Sequence, residues 1–259
     1  MSVKAEYYIR TYVCDNGIEY KTKFPVRAAE SCPAHHRRTA VRRAEKLATE
    51  SKTEFGRVLN CNFRAGRDVY MGLDYSDKGL AKLVGMAGGE DMDSVLEAAR
   101  RNISERFMKR LRRACAKEGI ELRAAFITSD MDGRTGEAVR VHHHMVINAE
   151  AAALAAKKWN DGGSWERVLY SHHHGDLQEL ADYLIGQVRC FAGMKRYTCT
   201  RNLKKPVASK PIKARKADAE LQVPRGCEKI HRSEYRVGRP QHIRYYRPPK
   251  LRDEGGEAA

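Results

Sequence analysis

The segment VRVHHHMVIN, residues 139–148, constrains the fold more than any other part of the sequence. Apolar residues flank its three histidines on both sides, which is typical of a central strand of a β-sheet. Side chains alternate between the two faces of a strand, so His142 and His144 share one face and His143 points to the other. The two imidazoles on the shared face are about 7 Å apart along such a strand and can bind one divalent ion together. A histidine run on an exposed sheet edge is the alternative, and the apolar flanks argue against it.

The segment ELRAAFITSD, residues 121–130, predicts a second strand that forms a hairpin with the histidine strand. If the turn places Thr128 opposite His142, then Asp130 lies on the same face as that histidine. Asp130 is therefore predicted to supply a third ligand, a hard oxygen. Two histidines and one carboxylate with open coordination positions suit Mn²⁺ or Mg²⁺ bound to a phosphate.

A tyrosine in the segment GDLQELADYLIGQV is the candidate nucleophile. The spacing predicts a helix over 177–191 with a buried stripe centred on Leu184, and Tyr183 lies at the border of that stripe. A tyrosine at such a border most often only packs against the core. Downstream of a His-x-His strand in a basic protein, however, Tyr183 is in a position to reach the sheet face and to act as a nucleophile.

A second histidine run, SHHHGD over residues 171–176, immediately precedes the tyrosine helix. The sequence favours an exposed turn in which Asp176 caps the helix. Contact of these histidines with DNA or with the metal is the alternative.

The remaining pattern predicts an α+β protein with a central antiparallel sheet of about five strands flanked by helices. A capping box of Ser94 and Glu97 is expected to begin its best-marked helix, and the Gly-rich residues 76–92 are expected to form a loop. We predict one domain over 1–205 that includes an N-terminal hairpin, followed over 206–259 by a basic arm with short sheet-edge elements and a disordered acidic end. The predicted elements are strands at 5–26, 68–75, 166–171 and 196–201 and helices over 39–54, 94–119, 149–158 and 177–191.

The charge of the chain indicates a polyanionic partner. Its 49 Lys and Arg residues exceed its 33 Asp and Glu residues, a net charge of +16, while 42% hydrophobic residues still allow a core. Nucleic acid is the first expectation and an anionic membrane surface the second. No run of about 18 apolar residues predicts a membrane span. The sequence contains no GxxxxGK[ST] motif, which excludes a phosphate-loop ATPase or helicase module. Seven scattered cysteines without a CxxC pair exclude a zinc ribbon and indicate a reducing cytoplasm.

Five segments, taken in order, resemble the replication initiators of the HUH endonuclease superfamily. More narrowly, they resemble the Rep proteins of bacterial phages, prophages and small single-stranded-DNA viruses. The segments lie within residues 50–206 and read RVLNCNF, DVYMGLDYSD, VHHHMVIN, LADYLIGQ and RYTCTRNLKKP. The His-x-His pattern alone is a weak signal, whereas the five segments in this order are specific. Three positions depart from the family: His143 replaces an apolar residue, Gly186 a lysine one turn after the nucleophile, and Asp130 a glutamate.

The resemblance implies an HUH, ferredoxin-like Rep nuclease fold and a metal-dependent nickase that initiates rolling-circle replication. Tyr183 would attack single-stranded DNA at a replication origin and form a 5′-phosphotyrosyl bond. The metal ligands would be His142, His144 and Asp130. A host polymerase and helicase are the expected partners, in the cytoplasm of a bacterial cell.

Two other functions are weighed against this one. A non-catalytic nucleic-acid-binding protein on the same scaffold would need no metal and would form no covalent DNA adduct. A conjugative relaxase fits less well, because its catalytic tyrosine precedes its histidines and the order here is reversed.

Basic side chains at and just before the start of the predicted helix 39–54, on the predicted helix 94–119 and in the segment KRYTCTRNLKK are predicted to hold the DNA backbone. They are Arg37, Arg38, Arg42, Arg43, Arg112, Arg113, Lys195, Arg196, Arg201, Lys204 and Lys205.

Overall fold

Two β-sheets organise the chain in this computed structural model, which describes residues 6–26, 36–189, 195–215, 220–234 and 240–249, without the side chains of residues 26 and 36–48. The strands are β1 (Glu6–Val13), β2 (Ile18–Val26), β3 (Val69–Asp74), β4 (Ala124–Met131), β5 (Ala138–Ile147), β6 (Ser164–Val168), β7 (Thr198–Cys199), β8 (Val207–Ala208), β9 (Ile212–Lys213), β10 (Glu228–Arg232) and β11 (Gln241–Tyr246). The helices are α1 (His36–Asn62), α2 (Asp77–Ala87), α3 (Met92–Arg101), a π-helical segment (Asn102–Phe107), α4 (Met108–Lys117), α5 (Ala149–Lys158) and α6 (Gln178–Gly186).

The chain divides into two compact units, and residues 36–205 form the larger one. Its sheet has five antiparallel strands in the order β6-β3-β5-β4-β7. The histidine strand β5 is the middle strand, as its apolar flanks predict. The α+β class and the five-stranded antiparallel sheet flanked by helices are therefore confirmed.

Helices cover both faces of this sheet, and the alternation along β5 assigns each histidine to a face. On the face of His143, side chains from α2 to α5 pack against Met71, Phe126 and Met145. On the face of His142 and His144, side chains of α1 and α6 form a second apolar cluster with the sheet. Because both faces are buried, β4 and β5 are apolar along most of their length.

The register of β4 against β5 differs from the predicted one by one residue. Thr128 is paired with His143, and Ser129 with His142. The Thr128 hydroxyl forms a 3.0 Å hydrogen bond with Nδ1 of His143, which satisfies a polar pair inside the core. The prediction that Thr128 lies opposite His142 is thus wrong. A one-residue slip exchanges the two faces of a strand, so the register that predicted Asp130 on the face of His142 is not the observed one.

The segment predicted as a loop over 76–92 contains α2. The hydroxyl of Ser76 caps this helix by accepting the Gly79 N–H at 3.1 Å, and Leu83 is fully buried. Burial of that leucine and the cap together offset the low helix propensity of the glycines. The predicted capping box is also displaced, because Asp91, rather than Ser94, caps α3 by accepting the Ser94 N–H at 3.0 Å.

The smaller unit combines residues 1–35 with 206–259, so the N-terminal hairpin does not group with residues 36–205 as predicted. The hairpin strands β1 and β2 belong to a second antiparallel sheet in the order β10-β11-β2-β1-β8, with β9 also on β1. Buried Glu19 on β2 holds the N-terminal hairpin to the C-terminal segment. It accepts a 2.8 Å hydrogen bond from the Tyr245 hydroxyl and forms an ion pair with Arg247. The C-terminal segment supplies strands that pair with the hairpin.

None of the helices in the described part of the chain is long and apolar enough to cross a membrane.

Phe107, in the π-helical segment, is fully buried, and its ring centroid lies 5.3 Å from that of Trp159. We expect Phe107→Ala to lower the free energy of unfolding by about 3–5 kcal/mol, through lost burial and an unfilled cavity. Urea denaturation followed by tryptophan fluorescence measures this, because Trp159 and Trp165 both lie in the larger unit. As a control, exposed Val168→Ala should leave the midpoint nearly unchanged, and equal shifts for the two variants would contradict the burial of Phe107.

Candidate active site

Two histidines meet on the sheet face that α6 partly covers. The Nε2 atoms of His142 and His144 are 3.1 Å apart. A second contact orients each ring through its other nitrogen: Nδ1 of His142 donates to the carbonyl of Arg140 at 3.0 Å, and Nδ1 of His144 lies 2.8 Å from the Tyr70 hydroxyl. Such contacts direct the Nε2 atoms toward a shared point.

Burial keeps His144 neutral. Desolvation, reinforced by the neighbouring His142, lowers the pKa of His144 to about 4, and a hydrogen bond with Gln187 opposes this in part. A neutral imidazole is the form that binds a metal ion.

Gln187 is a site residue that the sequence analysis missed. Its Oε1 lies 3.2 Å from Nε2 of His144, and the side chain is 2% exposed. The hydroxyl of Ser129 donates to the Gln187 carbonyl at 2.7 Å and holds this residue against the sheet. The signal that could have found it is its position, four residues after Tyr183 and so one helical turn along the same face.

His144 Nε2 lies as far from each of the other two donor atoms as neighbouring ligands of a single ion lie from one another. Two atoms that each lie about 2.1 Å from an ion are about 3 Å apart when they subtend a right angle. The separations of 3.1 Å and 3.2 Å match that value. In the described part of the chain, no group of three His, Cys, Asp or Glu side chains could hold a metal ion. The donor beside the two histidines is the amide oxygen of Gln187. Two imidazoles and one amide oxygen therefore fit a divalent cation.

Asp130, the predicted third ligand, is instead held in an ion pair. It is 1% exposed, Nε of Arg189 donates to its Oδ1 at 3.0 Å, and a second guanidinium nitrogen contacts its other oxygen. Arg189 also pairs with Asp93 of α3 at 3.1 Å. Asp130 thus anchors the chain that follows α6. Of the carboxylates near the histidines, Asp74 lies directly opposite His142 in the register of β3, at the exposed end of that strand.

Tyr183 stands beside the histidines, half exposed. Its ring centroid lies 6.4 Å from that of His144, and 41% of the residue is accessible to solvent. Ala181, Leu184 and Ile185 of the same helix are buried, so Tyr183 lies at the border of the buried stripe, as the spacing predicts. The turn between β4 and β5 approaches it closely: a Cβ on Gly133 would lie 2.7 Å from the tyrosine ring.

An exposed aromatic side chain lies on the other side of His144. Trp165 of the edge strand β6 is 38% exposed, and its ring centroid is 6.1 Å from that of His144. Gly72 of β3 lies between Trp165 on β6 and His144 on β5, and a Cβ on Gly72 would lie 2.3 Å from the indole. The sequence analysis did not single out Trp165, since its position follows from the pairing of β6 with β3.

His143 belongs to a separate hydrogen-bonded network on the opposite face. Its Nε2 lies 2.8 Å from the Tyr75 hydroxyl, and Asn102 donates to that hydroxyl at 3.1 Å and to Asp161 at 2.9 Å. Burial lowers the pKa of His143 to about 3, so this ring is neutral. The alternation that separates His143 from the other two histidines is therefore as predicted.

The predicted DNA-binding residues fall into four groups. Arg112 and Arg113 are exposed on α4. Lys195 and Arg196 line a pocket of about 450 Å³ at the edge of β4, together with Arg100 and Arg101 of α3. Three basic side chains are exposed in the following stretch: Arg201, Lys204 and Lys205. The side chains of the remaining group, which begins α1, lie outside the described residues; they are Arg37, Arg38, Arg42 and Arg43.

The second histidine run forms an exposed turn before α6, as the sequence favours. His172 to His174 are exposed, and His174 and Gly175 have positive φ angles of 49° and 75°. Asp176 accepts the Gln178 N–H at 3.1 Å and the Asn60 amide at 2.8 Å, which ties the start of α6 to α1.

Compared with models of protein families, with curated proteins and with solved structures, the chain matches none of them.

We expect His143→Ala to lower the free energy of unfolding by about 2–4 kcal/mol, because it leaves the buried hydroxyls of Thr128 and Tyr75 without their partner and opens a cavity. Urea denaturation measures the loss. The matched change His173→Ala, in the exposed turn, should cost little. If the two variants have the same midpoint, the buried network does not contribute as the geometry requires.

Proposed function

We propose that this protein is a metal-dependent nickase and strand transferase for single-stranded DNA, with Tyr183 as its nucleophile. The observation that carries the proposal is the convergence of two imidazole nitrogens and one amide oxygen beside a half-exposed tyrosine ring. The net charge of +16 supports a polyanionic substrate. We further propose that the nick lies at a replication origin and starts rolling-circle replication, as the resemblance to Rep proteins implies.

His142, His144 and Gln187 would hold the ion, and Mn²⁺ or Mg²⁺ suits this set of nitrogen and oxygen donors. Once bound, a divalent cation polarises the scissile phosphate and stabilises the charge that develops on its oxygens. The Nδ1 contacts of the two histidines support this role, since they fix the rings with Nε2 directed at the shared point.

In the proposed step, the Tyr183 oxygen attacks the phosphorus and the bond from phosphorus to the 3′ oxygen breaks. The phenol loses its proton, the leaving 3′ oxygen gains one, and a 5′-phosphotyrosyl linkage forms. The linkage retains the energy of the original phosphodiester, so a 3′-hydroxyl can reverse the step and rejoin DNA without ATP. A free 3′-hydroxyl is also the substrate that a host polymerase would extend, with a host helicase separating the strands.

The half exposure of Tyr183 supports its role as nucleophile. A strand of DNA needs access to the phenol from solvent, and 41% of Tyr183 is accessible. Tyr70, which is nearer to His144, is partly buried, and burial raises the pKa of its hydroxyl. That hydroxyl orients His144 instead.

We expect wild-type protein, single-stranded origin DNA and Mn²⁺ to form an adduct that survives denaturation, and Tyr183→Phe to abolish it while DNA binding persists. The phenyl ring keeps the packing and lacks the attacking oxygen. Denaturing electrophoresis with labelled DNA measures the adduct, and fluorescence anisotropy measures binding.

Matched controls for this variant are Tyr170→Phe, a largely exposed residue, and Tyr197→Phe, a partly buried one. Both should retain the adduct. Loss of the adduct in either one, with Tyr183→Phe active, would assign the nucleophile elsewhere. If the wild type binds DNA but forms no adduct in the presence of Mn²⁺, the alternative, a non-catalytic binding protein, is correct.

We expect Gln187→Ala to weaken Mn²⁺ binding by a factor of about 10–100, as typical for loss of metal-site support, and Gln187→Glu to retain binding through a carboxylate oxygen. Calorimetric titration of the Tyr183→Phe protein with Mn²⁺ measures this without turnover. Asp130→Asn should lower stability through the loss of the Arg189 ion pair and change Mn²⁺ affinity far less. Equal weakening by Asp130→Asn and Gln187→Ala would restore Asp130 as a ligand.

A further inference from the structure

An exposed tryptophan and an exposed arginine lie together on the face of the candidate site. Trp165 and Arg167 occupy alternate positions of β6, so their side chains point to the same face. The guanidinium carbon of Arg167 lies 5.5 Å from the centroid of the Trp165 ring, within the range of a cation–π contact. We call this pair the β6 platform.

Strand pairing places the β6 platform directly beside the metal-binding histidines. Trp165 is paired with Gly72 of β3, and Gly72 is paired with His144 of β5, so the three residues form one row across the sheet. Because Gly72 has no side chain, the indole lies over its backbone and reaches toward His144. The indole and the Tyr70 ring are nearly perpendicular, with their centroids 5.1 Å apart.

His144 thus lies between two exposed aromatic rings. The centroid of Tyr183 is 6.4 Å away on the side of α6, and the centroid of Trp165 is 6.1 Å away on the side of β6. A phosphodiester placed at Tyr183 would bring the neighbouring nucleotide within reach of the indole. Large apolar side chains that remain exposed beside a polar site are characteristic of ligand binding, and an exposed aromatic ring next to a cation fits an unpaired base and its phosphate.

We propose, building on the nickase function above, that the β6 platform binds the nucleotide next to the scissile phosphate. The unpaired base stacks on Trp165, and Arg167 pairs with an adjacent phosphate. The occupant is therefore a base of single-stranded DNA. Bases of a duplex are already stacked on one another and cannot take this position. The platform would position the strand so that the scissile phosphate meets Tyr183.

The chain offers a direct optical test, because its two tryptophans have opposite surroundings. Trp165 is 38% exposed on the platform, and Trp159 is 5% exposed in the core of the opposite face. In the Tyr183→Phe protein without metal, where no cleavage takes place, short oligodeoxythymidine should quench tryptophan fluorescence to saturation. Trp165→Phe, which leaves only the buried Trp159, should remove this quenching.

The affinity for the oligonucleotide and its salt dependence distinguish the contribution of base stacking from that of charge. We expect Trp165→Leu to weaken binding of the oligonucleotide on the order of tenfold and to leave the slope of log K against log salt unchanged, since stacking releases no counterions. Arg167→Ala should reduce that slope by about 0.7, the contribution of one phosphate contact on a single strand. Tyr170→Leu is the matched control, an exposed aromatic residue outside the platform, and should bind as the unchanged protein does.

Three outcomes would overturn the proposal. The first is quenching that persists in Trp165→Phe, and the second is equal quenching by duplex DNA of the same sequence. The third is saturation by thymidine monophosphate at the affinity of the oligonucleotide, which would assign the platform to free nucleotides.

The outcome for the platform is distinct from the outcome for the nickase. If the wild type nicks DNA but its tryptophan fluorescence is not quenched, the proposal for the β6 platform is refuted and the nickase proposal stands. If DNA quenches the fluorescence but the wild type forms no covalent adduct, the nickase proposal is refuted. The β6 platform would then be the base-binding part of a non-catalytic DNA-binding protein.

Discussion

The hydrogen bond between Thr128 and His143 sets the register on which the candidate site depends. It joins two polar side chains inside a buried layer, where an unpaired hydroxyl or imidazole would be costly. A slip of one residue between β4 and β5 would break this bond and turn the β4 partners of His142 and His144 to the other face. His143 has no part in the proposed chemistry. Its hydrogen bond with Thr128 nevertheless fixes how β4 pairs with β5, the strand that carries His142 and His144.

The candidate site also depends on the position of α6. This helix places Tyr183, at the border of its buried stripe, and Gln187, directly after its last residue, next to His144. Burial of Leu184 and Ile185 against the sheet fixes the rotation of the helix. With that rotation, Tyr183 is half exposed beside His144 and Gln187 reaches the same imidazole from one turn further on. The ion pair of Arg189 with Asp130 then holds the chain beyond the helix to the end of β4. Apolar packing thus positions the polar groups of the site.

Short-range patterns predicted much of this arrangement. Alternation along residues 139–148 separated His143 from its two neighbours, and helical spacing placed Tyr183 at a border. Both patterns hold because a strand and a helix have fixed periods that do not depend on the rest of the chain. The predicted register of Asp130 was wrong because β4 and β5 form a hairpin with a bulge after Ser129, and turn residues alone do not determine such a register.

The sequence by itself determined the class of the fold, the central histidine strand, the faces of its three histidines and the border position of Tyr183. Only the tertiary structure decided that the amide of Gln187 lies beside His144, that Trp165 lies next to His144, and that the N-terminal hairpin pairs with the C-terminal segment. The physical reason is the range of the interactions. Periodicity within one element is local, whereas cross-strand neighbours and the contacts of a helix with a sheet join residues far apart in the chain, and their pairing follows from the packing of the whole core.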